Sequence, residues 1–388
     1  MAALNKGSVG ILPAGALGVG FFYHLTGYLK YWSDGSVYLL ERQGSKSVKA
    51  LRQNGKIDID TSEGIKSLPT EEILKPDLLN CFRSGFLPEV VLICPNPDQL
   101  LDTITTIVEL LVLLYENDEI SSPNESLPLF VLASNGIYFQ RFRQIFIEKI
   151  EEATLFARLP DLWPDIIPQI VCRLLRGVTI QTGLRIGSGT KTIYRPGLRG
   201  RTQIAGGNPS TRERCVSILT ERGAWFEQAA NSSPTRLEFD KALVNLAVNL
   251  LGQLLAIDSQ GNFKILTVGE ILDSAYQSRI RQLVYQVFRV GQMVKVYDLR
   301  EDVEVIYDQA TQSALEHANH IPSSLQWVDM NLRNGTLQPQ MTPTESWLIE
   351  PLIRYAKASG LEDAANYFQN LKDELIQKLS LASNVMSD

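Results

Sequence analysis

Three polar side chains stand four residues apart in an apolar run. Lys241, Asn245 and Asn249 are set among Leu243, Val244, Leu246, Ala247, Val248 and Leu250. On a helix that spacing puts all three on one face. A lysine and two amides are costly to bury without partners, so the stripe faces either solvent or a polar cleft, and a helix this apolar has little surface to spare. A cleft lysine beside asparagines suits carbonyl chemistry. It can give a proton to the alkoxide formed when hydride reaches a ketone, or, once desolvated, form a Schiff base; the amides can orient a carboxylate or hydroxyl. A second constellation lies near the start, where an apolar run (residues 7–12) meets the turn Pro13-Ala14-Gly15-Ala16-Leu17-Gly18 and a helical segment. Glycines at such a turn let the backbone approach a pyrophosphate held by the helix N-terminus. The usual pattern has three glycines. Here Gly15 and Gly18 fill the second and third places, and Pro13, which has fixed φ and no N–H, fills the first. The next strand ends in Glu41-Arg42. A carboxylate there bonds the ribose 2′-OH of NAD and an arginine accommodates the 2′-phosphate of NADP, so Arg42 tilts the expectation toward NADP. With this turn present, hydride transfer is the more coherent use of Lys241.

The elements that must position these groups can be read from the hydropathy pattern. Residues 7–12, 36–40, 55–60, 89–94 and 127–133 read as strands, the last two as continuous apolar runs of the kind buried on both faces, and residues 47–54 read as a helix. Helical periods separate them at residues 99–115 and 138–158, which predicts a parallel sheet covered by helices. Residues 61–77 are polar and read as loop with one helical turn. Residues 177–204 alternate with Thr, Gly and Arg and predict an antiparallel hairpin layer, and residues 212–226 predict a helix. From residue 236 onward the pattern is helical, with segments at 237–255, 268–287, 303–318, 346–359 and 361–381 and a loop at 330–343. At roughly 150 residues per domain, a length of 388 residues suits two domains, or two with inserts. The polar run Asn231-Ser232-Ser233-Pro234-Thr235 marks the boundary, giving an α/β Rossmann-type domain over 1–231 and an all-helical domain over 232–388.

Composition removes several function classes. Lys and Arg number 37 against 43 Asp and Glu, a net charge of −6, which lacks the basic excess of a duplex-binding protein. The four cysteines are far apart and the three histidines build no ligand set, so no metal is expected, and the thiols read as reduced. No apolar run reaches the roughly 18–20 residues needed to span a bilayer. The first residues lack a secretory signal pattern. The expectation is a cytoplasmic protein without nucleic-acid or membrane partners.

Taken in order, several segments resemble ketopantoate reductases (2-dehydropantoate 2-reductases). VGILPAGALGVGFFYHL is similar to that family's first strand, glycine turn and helix, and SVYLLERQGSKSVKALRQNGKIDI to its second strand and the turn after it. PLFVLASNGI resembles its strand ending in Asn-Gly, and GVTIQTGLRIGSGTKTIYRPGLRGRTQIAGG its hairpin. FDKALVNLAVNLLGQLLAI resembles the first helix of its second domain, and SSLQ and TESWLIEPLIRYAKASGL its closing segments. The resemblance implies NADPH-dependent reduction of a ketopantoate-like 2-oxo acid, as in pantothenate biosynthesis, with NAD the alternative cofactor, both bound between the two domains, and a homodimer as a compatible state. It makes Lys241 the catalytic proton donor and Asn245 and Asn249 substrate-binding. It puts Asn135 on both cofactor ribose and substrate, Ser324 (or Ser323) on the substrate carboxylate, and Glu345 on the lysine or a substrate hydroxyl. Pro13, Ala14, Gly15, Ala16, Leu17 and Gly18 become the phosphate turn. Three departures stand out. Pro13 replaces a glycine; the family's lysine after the third main strand is absent from Ile93-Cys94-Pro95-Asn96-Pro97; and extra sequence falls at 61–88, 151–176 and 330–344. The rival readings are a reductase of another 2-oxo acid and a non-catalytic, regulatory protein retaining the fold.

Overall fold

The computed structural model describes residues 3–117, 119, 123–156, 158–159, 166–187 and 189–385; the middle of the extra sequence at 151–176 thus lies outside the described residues. The chain divides into two compact units, Met1–Asn135 with Phe139–Pro234, and Gly136–Tyr138 with Thr235–Asp388.

Among its described residues the first unit carries twelve strands: β1 (Ala3–Leu12), β2 (Val37–Leu40), β3 (Lys56–Thr61), β4 (Gly64–Pro69), β5 (Leu74–Lys75), β6 (Phe86–Ile93), β7 (Leu129–Leu132), β8 (Leu174–Thr179), β9 (Gly183–Ile186), β10 (Ile193–Pro196), β11 (Arg201–Gly206) and β12 (Trp225–Gln228). Eight form one sheet in the order β12-β11-β8-β7-β6-β1-β2-β5. Pairing is parallel from β5 through β8, and β11 turns antiparallel to β8. Strands β6 and β7 are buried almost throughout, which is why their sequences are unbroken apolar runs rather than alternating ones. The strand order reverses at β1, and in open α/β sheets ligands bind at the carboxyl ends of strands beside such a reversal. The turn at residues 13–18 begins just past the carboxyl end of β1.

A second sheet, β4-β3-β10-β9, is assembled from segments more than a hundred residues apart. The antiparallel hairpin expected at 177–204 is present as β9–β10. Residues 61–77, expected as loop with one helical turn, contain that turn as the short helix Thr70–Ile73 but also form the strands β4 and β5. Most of β4 is exposed, so no alternation betrays it. The helix expected through residue 226 ends at Glu221, and Trp225–Gln228 is the edge strand β12.

The second unit is helical. Its core gathers Phe239, Leu243 and Leu246 from the first long helical run, Val284 and Val287 from Gln277–Met293, Leu348 and Leu352 from Pro343–Ala358, and Phe368 and Leu375 from Glu362–Val385. The helix expected over 268–287 is broken: Val268–Ile271 starts on a Thr267/Glu270 capping box, and a new helix begins at Gln277. The 330–343 segment is helical to Arg333 before it loops. Among the described residues no helix is long and apolar enough to cross a membrane.

Candidate active site

In the first unit, the turn between β1 and the helix Ala16–Leu25 is closed from within. The Gly15 N–H donates to the Pro13 carbonyl at 2.8 Å, so the proline in the first-glycine position supplies the acceptor that holds the turn. Gly15 precedes the helix without a side-chain cap, and no acidic residue sits in the first helical turn. The amides of Ala16, Leu17 and Gly18 meet no acceptor among the described residues. A Cβ at Gly15 would touch nothing within 4 Å, whereas one at Gly18 would lie 2.3 Å from the Pro13 oxygen. Gly15 therefore leaves room beside unsatisfied donors, and Gly18 lets the helix close on the turn. These are the two glycine roles a dinucleotide pyrophosphate requires, and the residues present fit that group. Ala14 is buried, and its carbonyl accepts from the Tyr194 hydroxyl at 3.2 Å.

At the end of β2, Arg42 Nη1 lies 2.9 Å from Asp102 Oδ2, and Glu41 Oε1 accepts from Arg52 Nε at 2.5 Å. Asn135 comes after β7, partly buried, its amide making no hydrogen bond among the described residues. Its turn is pinned by a residue that spacing and motif did not single out. The buried Arg176 guanidinium donates to the carbonyls of Leu132 at 2.5 Å, Ser134 at 2.8 Å and Gly177 at 2.8 Å. After β6, where the resembling family has its lysine, burial pushes the Cys94 thiol far up, so that position carries no charge.

In the second unit, the run with the polar stripe is not one regular α-helix. Pro234–Asn245 passes into a π turn, Leu246–Leu250, closed by a Leu251 N–H to Leu246 carbonyl bond, and resumes as Leu251–Ala256. At 3.6 residues per turn each four-residue step overshoots by about 40°, so three steps would drift about 120°. A π turn takes up roughly one extra residue, about 100°. The stripe thus stays aligned for one step more than expected, and the fourth member is Gln253. The four-residue spacing in the sequence already contained it.

The stripe divides into two halves. Lys241 is partly buried and has no hydrogen-bond or ion-pair partner among the described residues. Desolvation alone brings its pKa down to about 8. Asn245 is buried, its amide unengaged among the described residues. Asn249, by contrast, is held: the Ser324 hydroxyl lies 3.1 Å from both its Oδ1 and its backbone oxygen. The fully buried Gln253 donates through Nε2 to the Asn249 carbonyl at 3.2 Å and to Glu345 Oε1. The other Glu345 oxygen accepts from the Thr342 amide and hydroxyl, each at 2.9 Å, as a capping box on the helix Pro343–Ala358. Burial still leaves the Glu345 carboxyl raised above its ordinary value. Ser324, Asn249, Gln253 and Glu345 form one chain of contacts. No hydrogen bond or ion pair joins Glu345 to Lys241 among the described residues, so Glu345 acts on the stripe through Gln253 rather than on the ammonium directly.

No protein-family model matches the sequence, and no curated protein matches it either. Solved structures do match in fold. A D-mandelate dehydrogenase, in a ternary structure with NADH and anilino(oxo)acetate, superposes with a TM-score of 0.63 at 15% identity, covering 98% of this chain and 100% of that one. A PanE/ApbA family ketopantoate reductase from Ralstonia eutropha JMP134 gives 0.57 at 14% identity, over 96% and 99%. A dimeric ketopantoate reductase from Staphylococcus aureus gives 0.56 at 14%, over 95% and 99%. The chain shares the fold of these proteins along nearly its whole length.

Proposed function

We propose that this protein reduces a small 2-oxo acid to the 2-hydroxy acid at the expense of a reduced nicotinamide dinucleotide, NADPH with NADH as the alternative, and that Lys241 donates the proton. The observation that carries this reading is the partly buried Lys241 ammonium, without a partner among the described residues, whose pKa of about 8 results from desolvation. A lysine kept for structure finds acceptors, as Lys378 does in the carbonyls of Leu254 and Ile257. At pH 7 such a group is about nine-tenths protonated yet gives up its proton far more readily than an exposed lysine, the balance a general acid needs.

The dinucleotide, when bound, supplies a hydride to the carbonyl carbon of the substrate. The amides of Ala16, Leu17 and Gly18, in the room left by Gly15, would hold its pyrophosphate, and Arg42 its adenosine end. Asn135, on a turn fixed by Arg176, would contact its ribose. Lys241 Nζ would pass a proton to the carbonyl oxygen as the C=O π bond becomes a C–H and an O–H bond, leaving a neutral amine that solvent reprotonates. The unengaged Asn245 amide and the Ser324-oriented Asn249 would align the acid, with Glu345 and Gln253 positioning Asn249. Support comes from the neighbours' own descriptions: a dehydrogenase of D-mandelate with NADH, and reductases of ketopantoate.

The test is NADPH consumption by the whole protein against a panel of 2-oxo acids, ketopantoate and the oxo acid of mandelate among them. The reading expects turnover with at least one member and none with simple aldehydes. No consumption with any 2-oxo acid would remove it.

A further inference from the structure

Building on the reductase reading, we infer that Arg185, on the edge strand of the second sheet, is the residue that selects a phosphate on the adenosine ribose and so makes NADPH the preferred dinucleotide. In a Rossmann-type sheet the adenosine ribose sits at the carboxyl end of the second core strand, here β2. A carboxylate free at that point would bond the ribose 2′-OH. Glu41 is not free: Arg52 Nε lies 2.5 Å from it. Arg42 is held only by Asp102, whose side chain is 67% exposed, and such surface pairs are weak enough to exchange.

The second sheet brings another cation to the same place. Arg185 of β9 pairs directly with Tyr194 of β10, so the two side chains share a face, with Gly183 two residues back on that face too. Tyr194 donates to the Ala14 carbonyl in the phosphate turn. A Cβ at Gly183 would lie 2.2 Å from the Ala16 carbonyl oxygen. This face therefore rests on the start of the first helix. From there the Arg185 guanidinium reaches Ser47 Oγ at 3.2 Å, in the first turn of the helix after β2, and Thr192 Oγ1 at 3.5 Å. Arg185 thus belongs to the face that covers the turn at residues 13–18 and places its guanidinium against the segment just past Arg42.

Its partners are the telling feature. Arg195, its neighbour on the hairpin, is tied to Asp60 at 2.7 Å, whereas Arg185 has only hydroxyls and no carboxylate among the described residues. Lys46 and Lys191 flank it, also without acidic partners among the described residues, the Gly189–Lys191 turn packing on the Lys46–Asn54 helix. A guanidinium held by neutral oxygens presents a planar fork of donors suited to a phosphate monoester, in a positive field that favours a dianion over a hydroxyl.

The experiment is equilibrium binding to the full-length protein, read by tryptophan fluorescence, with NADPH and NADH and with the nicotinamide-free probes 2′,5′-ADP and 5′-AMP. The wild type should favour NADPH over NADH, and 2′,5′-ADP over 5′-AMP, by about tenfold or more. Arg185→Ala should weaken NADPH and 2′,5′-ADP ten- to a hundredfold while NADH and 5′-AMP change by less than about twofold; Arg185→Lys should recover part of the loss. Equal losses for phosphorylated and unphosphorylated ligands would overturn the assignment, placing Arg185 on the pyrophosphate or the fold, as would an unchanged variant or a wild type indifferent to the 2′-phosphate. In those cases dinucleotide binding itself survives. A wild type that binds none of the four would overturn the reductase reading and this inference with it.

Discussion

Replacing Lys241 with methionine should leave the protein more stable and nearly inactive. Methionine keeps an unbranched stem in the same space and removes only the ammonium. Burial lowers the lysine pKa from 10.5 to about 8, and a drop of roughly two and a half pH units corresponds to about 3 kcal/mol against the folded state. The sign is set by linkage. The folded pKa lies below the unfolded one, so between about pH 8 and 10.5 the unfolded chain holds the extra proton. The penalty is therefore present in full below about pH 8 and fades as pH rises toward 10.5. Lys241→Met should gain about 3 kcal/mol at pH 7 and almost nothing near pH 10.5. Urea unfolding at the two pH values, monitored by tryptophan fluorescence (Trp327 and Trp347 lie in this unit), measures both numbers. The same variant should lose about 10²–10⁴ in kcat for ketone reduction, while wild-type kcat/KM should fall about tenfold per pH unit above about pH 8. A variant less stable than wild type at pH 7 would show that the ammonium is structurally engaged. A wild-type rate level up to about pH 9.5 would show that the proton comes from elsewhere.

Three further outcomes are expected. Gly18→Ala sets a Cβ 2.3 Å from the Pro13 oxygen, so it should cost about 1–3 kcal/mol and weaken NADPH binding; Gly15→Ala, with open space around it, should keep the wild-type melting temperature, and calorimetric titration with thermal melts compares them. Gln253→Leu removes a donor from Glu345 and should cost about 1–3 kcal/mol at neutral pH. The Glu345 carboxyl, already raised by burial, would rise further; because the folded state then takes up the proton first, the loss should shrink as pH falls through that folded pKa, and a urea midpoint difference that does not narrow on acidification would contradict this. Arg176→Leu strips the donor from three carbonyls around the Asn135 turn and should lower stability by about 2–4 kcal/mol together with dinucleotide affinity; an unchanged melting temperature would refute the clamp.

The parallel core was legible because burial on both faces demands what residues 89–94 and 127–133 display, apolar side chains without a break. The strand, turn and helix over residues 7–25 were legible because close approach of a helix to a turn leaves glycine as the residue that fits at position 18. The second sheet was legible in part. Its hairpin showed as alternation and residues 55–60 read as a strand, but the two are remote in sequence, so their pairing did not show, and β4 is too exposed to carry a hydrophobic period. In the polar stripe, spacing identified Lys241, Asn245 and Asn249 but not the π turn, since a four-residue repeat suits either geometry. Gln253 was passed over because on a regular helix a fourth member, three four-residue steps from Lys241, would have turned about 120° off the face, and its contact with Glu345 lies far along the chain. For the same reason spacing could not tell that Glu345 meets Gln253 rather than Lys241. Nothing in the spacing or motifs draws attention to Arg176; only the fold shows a guanidinium spent on backbone carbonyls.

Direct hydride transfer to a 2-oxo carbon is the step on which the proposed reaction rests. It is tested by running the reduction with NADPH deuterated on its hydride-donating carbon, each face in turn, and examining the product by mass spectrometry. Direct transfer predicts 2-hydroxy acid carrying one deuterium on the former carbonyl carbon for one labelled face and none for the other. Product without the label from either face, or no product while the dinucleotide binds, would contradict it.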